Sequence, residues 1–213
     1  MLSSSLKKVA VIVAHPDDET LWVGGTILSH PQWTWFIVCL CRKSDKDRAE
    51  KFYRALKIYH AKGAMGDLDD GPEQTPLSDK EVEFAIECLI PPQHFDILIS
   101  HSPSGEYTRH RRHEETGKAV IHLWHAGKIQ GAELWVFAYQ DGERAYYPRP
   151  IEEAKNKPIP EHLWNRKYQV ITENYGFEPE SWEARTTPRT EAFWQFTDSE
   201  NALNWLNEGD IPI

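Results

Sequence analysis

The feature that most constrains the fold of this chain is the alternation of apolar runs of strand length with amphipathic stretches of helix length. Strands are predicted at residues 9–14, 35–41, 95–100 and 132–138, the last of which is the last clear strand. Such an alternation is typical of a parallel sheet whose strands are connected by crossover helices. The sequence therefore predicts an α/β fold, a Rossmann-like three-layer sandwich with a mostly parallel sheet.

Four helices are predicted between these strands. The first spans residues 19–29, the second begins at Asp45, the third is capped by Ser78, and the fourth spans residues 113–126. The apolar residues expected on the buried faces of the second and third helices are Phe52, Leu56, Tyr59, Val82, Ala85, Ile86 and Leu89. Residues 63–76 have no clear periodicity and are predicted to form a loop.

The chain changes character beyond Asp141, where prolines and aromatic residues become frequent. One helix is predicted there, at residues 161–175. Long segments without regular structure are unusual in compact domains unless they serve a site. We therefore expect a single domain over residues 1–213, in which a C-terminal layer at residues 141–213 covers a βα core at residues 7–140.

Composition limits the classes of function. A chain of 213 residues suits one domain, and its three cysteines form no disulfide framework, which indicates a reducing compartment. The first residues are too polar for a signal peptide, and no stretch approaches about 18 apolar residues. We therefore expect no membrane span and a cytoplasmic location. A net charge of -9 argues against a general nucleic-acid binder.

The first candidate site is the string His15-Pro16-Asp17-Asp18-Glu19, which follows the first predicted strand. Ionised carboxylates at a buried strand end are costly unless a cation or substrate compensates them. The alternative is a helix N-cap beside an incidental histidine, but capping needs only one Asp. A dinucleotide site is excluded because the turn carries acids and Gly24-Gly25 comes too late.

The second candidate site is the segment at residues 101–114, after the third predicted strand. Loops at the carboxyl ends of parallel strands meet at one crevice. His15 and Asp18 can both face a metal there, and His113 could complete a set of two imidazoles and one carboxylate. This is a catalytic pattern for zinc that leaves one coordination position open, although iron, cobalt or nickel also suit it.

The two segments together resemble a known family. Residues 13–20, Gly24-Gly25-Thr26, Gly105-Glu106-Tyr107 and His110-x-x-His113 are similar to the LmbE-like or PIG-L family of zinc-dependent N-deacetylases, over about residues 7 to 140. The resemblance implies that zinc is held by His15, Asp18 and His113. It further implies that Asp17 is the general base and that His110 steadies or protonates the reacting amide.

The chain departs from the family pattern at one place. Many members have Pro and Asp between the two histidines of the second motif, whereas this chain has Arg111 and Arg112. The carboxylate that orients His110 or His113 must therefore come from elsewhere. Arg109, Arg111 and Arg112 fit either a solvated basic loop or a clamp for a phosphate or carboxylate.

Other assignments stay open at this level. His101 fits either site lining or ordinary packing, and Trp22 fits either packing or stacking on a sugar ring. The resemblance implies a small N-acylated substrate that contains a sugar, such as an N-acetylglucosamine derivative. The alternatives are a conjugate amidase with the same metal chemistry and a non-catalytic carbohydrate-binding protein, although a binding protein has no use for Asp17. A homo-oligomer is compatible with the sequence.

Overall fold

The computed structural model describes residues 6–208, which fold into a central sheet with helices on both faces. The strands are β1 (Lys8–Val13), β2 (Thr34–Cys41), β3 (Lys62–Leu68), β4 (His94–Ser100), β5 (Gln130–Phe137), β6 (Tyr139–Gln140), β7 (Arg149–Pro150), β8 (Lys155–Pro158) and β9 (Thr190–Phe196). The helices are α1 (Asp18–Ser29), α2 (Lys46–Ile58), α3 (Asp79–Leu89), α4 (Arg111–His125), α5 (Glu161–Gln169), α6 (Trp182–Thr186) and α7 (Ser199–Glu208). A π-helical turn, Val170–Asn174, continues α5.

The main sheet has seven strands in the order β3-β2-β1-β4-β5-β9-β8. β1 to β5 are parallel, whereas β9 is antiparallel to β5 and β8 is antiparallel to β9. The strand order reverses between β1 and β4, and ligands bind in such sheets at the carboxyl ends of the strands that flank the reversal. The predicted α/β fold with a mostly parallel sheet is confirmed.

Each face of the sheet carries its own apolar core. Val9, Val11 and Val13 of β1 face one core, which α1 and α2 cover, and Ala10 and Ile12 face the other, which α3, α4 and α7 cover. This alternation follows the two-residue period of a strand. Asp45 and Ser78 accept backbone N–H groups at the starts of α2 and α3, as predicted. No helix among residues 6–208 is long and apolar enough to cross a membrane.

The predicted loop at residues 63–76 is wrong in its first half, which forms the edge strand β3. Only Met65 of this strand is fully buried, so an apolar period of two never develops. Gly63 and Gly66 lie against backbone carbonyl oxygens of β2 and leave no room for a Cβ atom. Close packing of glycine backbone, rather than apolar side chains, therefore fixes this strand.

The prediction that residues 132–138 form the last clear strand is also wrong. The C-terminal segment was expected to cover the sheet, but β9 and β8 extend it. Their sequences mix lysine, glutamate and glutamine with apolar residues, because they lie at or near the sheet edge. The remainder of this segment fits the expected covering role better, since α5 and its π-helical turn pack against α1.

A buried ion pair joins the C-terminal segment to α1. The ammonium of Lys167 lies 2.8 Å from Oε1 of Glu191, and both side chains are fully buried. The Glu191 carboxylate also accepts the backbone N–H groups of Gly25 and Thr26, each at 2.7 Å. A Cβ atom at Gly25 would clash with Ile159. The glycine pair in α1 therefore permits the close approach of the tail to the helix that begins at the candidate site.

Candidate active site

The candidate active site lies at the carboxyl ends of β1 and β4, where the strand order reverses. The turn from β1 to α1 carries His15, Asp17 and Asp18, and the connection from β4 to α4 carries His110, with His113 in the first turn of α4. A cavity of about 610 Å³ opens beside these residues, and His15, Asp17, Asp18 and His110 are part of its lining. The fold thus brings the two predicted segments to one crevice.

The three predicted metal ligands present their donor atoms to one another. His15 Nδ1 lies 3.2 Å from Asp18 Oδ2 and 3.2 Å from His113 Nε2, and the last two atoms are 3.3 Å apart. Ligand atoms about 2.0–2.1 Å from a tetrahedral ion would be separated by about 3.3 Å. The donor triangle of His15, Asp18 and His113 therefore fits a single metal ion.

The second ring nitrogen of each histidine in this triangle meets a carboxylate. His15 Nε2 lies 3.2 Å from Asp70 Oδ1, and His113 Nδ1 lies 2.5 Å from Glu106 Oε2. Histidines that ligate a metal commonly donate their other ring N–H to a carboxylate, which fixes the tautomer and the ring orientation. Asp70 and Glu106, neither predicted as a site residue, thus take the orienting role for which Arg111 and Arg112 are unsuited.

His101 belongs to the same cluster and is fully buried. Its Nδ1 lies 2.9 Å from Glu106 Oε2, and its ring stacks on His113 with centroids 3.9 Å apart. Nε2 lies 3.3 Å from Asp18 Oδ2, so Asp18, His101 and His113 form a second group that could hold a metal ion. However, Nε2 accepts the Ala14 backbone N–H at 3.1 Å, which favours a supporting role for His101.

Asp17 occupies the N-cap position of α1 but makes no capping hydrogen bond with its side chain. Its backbone has a φ of 125°, and its N–H donates to Glu19 Oε2 at 3.1 Å. One carboxylate oxygen lies 3.3 Å from a guanidinium nitrogen of Arg48. Burial raises the pKa of Asp17 to about 8, against the opposing effect of Arg48. The N-cap alternative therefore does not account for this residue.

His110 precedes α4 and also makes no capping bond with its side chain. Its ring stacks on His113 with centroids 4.2 Å apart, and its Nδ1 is buried without a hydrogen-bond partner among the described residues. Burial, together with the imidazoles of His113 and His15, lowers the pKa of His110 to about 2. The structure therefore favours a neutral His110 and does not support the protonated form.

The two buried carboxylates of the cluster are held in their ionised form. Burial alone would raise the pKa of Asp18, but the imidazoles of His113 and His101 outweigh it and hold the pKa well below its usual value. Burial opposes ionisation of Glu106 in the same way, and the same two imidazoles lower its pKa to about 2. Both groups are thus available as negative charges for a cation or an imidazole N–H.

The arginines near the second histidine motif do not form an anion clamp in the part of the chain that the structure describes. Arg109 and Arg111 are exposed, and Arg109 lies 3.4 Å from Glu114. Arg112 is buried and donates to the Thr75 carbonyl at 2.8 Å and to Glu115 Oε2 at 2.5 Å. It therefore anchors the segment that carries Asp70.

Trp22 is fully buried, which favours the packing interpretation over stacking on a sugar. Its indole N–H donates to Asp18 Oδ1 at 3.3 Å. Oδ2 of the same carboxylate is the atom that belongs to the donor triangle. Trp22 therefore helps to orient Asp18 and has no free face for a substrate.

The segment that carries these residues matches a protein-family profile. The profile of the family described as PIG-L, GlcNAc-PI de-N-acetylase, matches residues 10–124, which include the donor triangle, Asp17, Asp70, Glu106 and His110. The chain belongs to the PIG-L family. Like the family it belongs to, this PIG-L protein is a hydrolytic enzyme of the N-deacetylase class.

Similar proteins cover 78% to 90% of this PIG-L protein. A protein of Acanthamoeba polyphaga mimivirus, itself described as uncharacterized, is 20% identical over 183 residues, which cover 78% of this chain and 75% of that one. The N,N'-diacetylchitobiose deacetylase of Pyrococcus horikoshii superposes with a TM-score of 0.66 at 18% identity, over 90% of this chain and 84% of that one.

Two further solved structures share the fold. The zinc-inhibited form of a teicoplanin deacetylase has a TM-score of 0.65 at 14% identity, with 88% of this chain and 97% of that one covered. A 4-carboxy-2-hydroxymuconate hydratase from Pseudomonas putida has a TM-score of 0.61 at 18% identity, with 91% of this chain and 97% of that one covered. Because a hydratase shares the architecture, the fold alone does not define the reaction.

The tail of this PIG-L protein supports the site through Tyr175, which sequence reasoning did not assign a role. The Tyr175 hydroxyl donates to Glu19 Oε1 at 2.7 Å, and the Thr20 hydroxyl donates to the same oxygen at 2.6 Å. The other oxygen of Glu19 accepts the backbone N–H of Asp17 at 3.1 Å. Because Glu19 is fully buried, these contacts fix both ends of its carboxylate.

We expect Tyr175→Phe to lower turnover several-fold and to reduce the free energy of unfolding by about 0.5–1.5 kcal/mol, the range for a typical intramolecular hydrogen bond. The metal content should not change, because the donor triangle makes no contact with Tyr175. Urea denaturation and steady-state kinetics measure the two effects. Tyr168→Phe is the matched control, since the Tyr168 hydroxyl makes no hydrogen bond among residues 6–208. Equal effects of the two variants would contradict this role.

We expect Glu106→Gln to weaken metal binding by about 10–100-fold, the usual effect of removing an outer partner of a metal ligand. The amide keeps the size of the side chain but loses the charge that His113 and His101 share. Competition with a chelator of known affinity measures the change. Glu114→Gln is the matched control, because Glu114 contacts Arg109 rather than the cluster. Unchanged metal affinity in Glu106→Gln would refute the orienting role.

Proposed function

We propose that this protein is a zinc-dependent amide hydrolase that removes the acetyl group from a small N-acetylglucosamine-type substrate. The observation that carries the proposal is the donor triangle of His15, Asp18 and His113 with the carboxylate of Asp17, which is not part of the triangle, beside it. Three protein ligands of this kind are typical of catalytic zinc, which keeps a coordination position open. When bound, zinc lowers the pKa of water from about 15.7 to about 7 and polarises a carbonyl group.

We propose that Asp17 moves the proton. It lines the cavity, it is not needed in the donor triangle, and burial raises its pKa toward neutrality. A general base works best when its pKa lies near the working pH. We assign to Asp17 the removal of a proton from the attacking water and its return to the departing amine, so that an amide and water give an amine and acetate.

We propose that His110 stabilises the oxyanion of the tetrahedral intermediate. Its imidazole lies against His113 and lines the cavity, and a neutral imidazole still has one N–H to donate. Removal of one such donor typically costs about 3–4 kcal/mol of transition-state stabilisation. We therefore propose that His110 donates a hydrogen bond from its neutral form, which revises the expectation of a protonated residue.

A metal determination combined with an activity assay tests this function. The metal content of the purified protein is measured by mass spectrometry, and amine release from N-acetylglucosamine derivatives is followed with and without a chelator. We expect about one equivalent of zinc and amine release that a chelator abolishes and zinc restores. Failure to bind any divalent metal under any loading condition would refute the proposal. Hydration of an unsaturated acid without amine release would favour a hydratase instead.

A further inference from the structure

The cavity has an outer wall that the catalytic assignments do not use, formed by Tyr107, Trp182 and Glu183. All three side chains are half-buried. Trp182 and Glu183 open the short helix α6, and Ser181 caps this helix by accepting the Ala184 N–H at 3.2 Å. Trp182 and Glu183 lie outside the 10–124 segment that defines the family, so family membership assigns them no role.

The aromatic part of the outer wall lies beside the donor triangle, since the rings of Tyr107 and His113 have centroids 5.4 Å apart. The rings of Tyr107 and Trp182 have centroids 4.5 Å apart, and Tyr107 also stacks on Trp22 at 6.3 Å. Trp22 in turn donates to Asp18. An aromatic surface that begins beside the metal ligands and ends half-exposed at the cavity offers a sugar ring an apolar face next to the reacting group.

The charges around the cavity disfavour an anionic substrate. Five carboxylates line it, against two guanidinium groups. Both guanidinium groups are already engaged, because Arg42 lies 2.6 Å from Asp70 Oδ2 and Arg48 lies 3.3 Å from Asp17 Oδ1. A phosphate would therefore find no free arginine here and would meet instead the carboxylate of Glu183, which is unpaired in the described part of the chain.

Glu183 supplies a free hydrogen-bond acceptor at the same wall. Its carboxylate has no hydrogen-bond or ion-pair partner within residues 6–208. An ionised carboxylate accepts hydrogen bonds only, which suits the hydroxyl groups of a sugar and repels a phosphate. The aromatic surface and this acceptor thus select for the same chemistry, an uncharged ring that carries hydroxyl groups.

We propose that the outer wall of Tyr107, Trp182 and Glu183 is a subsite for an uncharged pyranose ring, so that the enzyme prefers neutral N-acetylated glycosides over phosphorylated ones. This inference rests on the proposed deacetylase function and narrows its substrate class. Trp182 packs against the ring face, and Glu183 accepts hydrogen bonds from the ring hydroxyls.

The test compares methyl N-acetylglucosaminide with N-acetylglucosamine 1-phosphate as substrates for the zinc-loaded protein. We expect the neutral substrate to have the higher kcat/KM, by about tenfold or more, which corresponds to about 1.4 kcal/mol. Trp182→Ala should raise KM for the neutral substrate about tenfold with kcat nearly unchanged, since the lost contact acts equally on ground and transition states. Glu183→Lys should reduce or reverse the preference.

Glu180→Lys is the matched control, because it makes the same charge change in an exposed side chain of the same segment. Among residues 6–208, the Glu180 carboxylate pairs only with Arg185, at 4.0 Å. Preference for the phosphorylated substrate, or equal effects of Glu183→Lys and Glu180→Lys, would overturn the subsite.

Binding to the zinc-loaded Asp17→Asn variant, measured by isothermal titration calorimetry, separates the subsite from the reaction. Methyl N-acetylglucosaminide should bind this variant and should bind the Asp17→Asn/Trp182→Ala double variant about tenfold more weakly. If binding depends on Trp182 while the wild-type protein hydrolyses neither substrate, the proposed reaction fails and the subsite stands. If hydrolysis occurs and binding is indifferent to Trp182, the subsite fails and the reaction stands.

Discussion

Asp17→Asn is expected to lower turnover by about 10²–10⁴-fold while the protein keeps its metal, because general base catalysis typically contributes that much. The amide has the size of the carboxylate but cannot accept a proton at neutral pH. The backbone of Asp17 has a φ of 125°, and Asn is among the residues that tolerate positive φ best. The substitution therefore removes the base with little change in the geometry of the turn.

Turnover and metal content are measured on the same preparation of each variant. Asp18→Asn, one residue along the chain, is the matched comparison, because Asp18 Oδ2 belongs to the donor triangle. We expect this neighbour to lose metal as well as turnover, as we do for His15→Ala and His113→Ala. Near-normal turnover in Asp17→Asn would overturn the assignment of the base.

Lys167→Met is expected to reduce the free energy of unfolding by about 3–5 kcal/mol, the cost of removing one partner of a buried ion pair. Methionine fills similar space, so the loss comes from the Glu191 carboxylate, which stays buried without its ammonium partner. That carboxylate keeps its bonds to the N–H groups of Gly25 and Thr26, which lie inside α1. The variant therefore loosens the attachment of the tail to the helix that carries Asp18.

Urea denaturation gives the change in unfolding free energy. Arg166→Met is the control, since Arg166 is the exposed neighbour of Lys167 and such substitutions usually change stability by less than about 0.5 kcal/mol. A second variant, Lys167→Met/Glu191→Gln, should recover part of the loss because it removes the uncompensated charge. Equal stabilities of Lys167→Met and Arg166→Met would show that the ion pair contributes nothing.

The parts of the fold that sequence predicts are those in which apolar side chains repeat with a regular period. β1, β2, β4 and β5 are central strands with apolar runs, and all four were predicted. β3, β8 and β9 were missed because they lie at or near the sheet edges, where glycine and charged residues replace the apolar repeat. Strand pairing there depends on contacts that no local pattern encodes.

The candidate site likewise contains residues that the sequence predicts and residues that it does not. His15 and Asp18 are close in sequence, and the meeting of strand ends in a parallel sheet brings His113 to them. Asp70 lies 55 residues from His15, in a segment without periodicity, so its contact depends on the path of a loop. The acidic residues of that loop and the glutamate at position 106 are visible in the sequence. Neither indicated which imidazole it would meet.

The hydrogen bond from Tyr175 to Glu19 also bears on how the protein matures. His113 is the last residue of the donor triangle along the chain. Tyr175, which holds the Glu19 carboxylate that accepts the Asp17 backbone N–H, is synthesised later. During translation, a nascent chain therefore contains all three proposed metal ligands before it contains the residue that braces the proposed base. The order of synthesis therefore separates the residues proposed to hold the ion from the residue that braces the proposed base, and we expect full turnover only after the tail has docked.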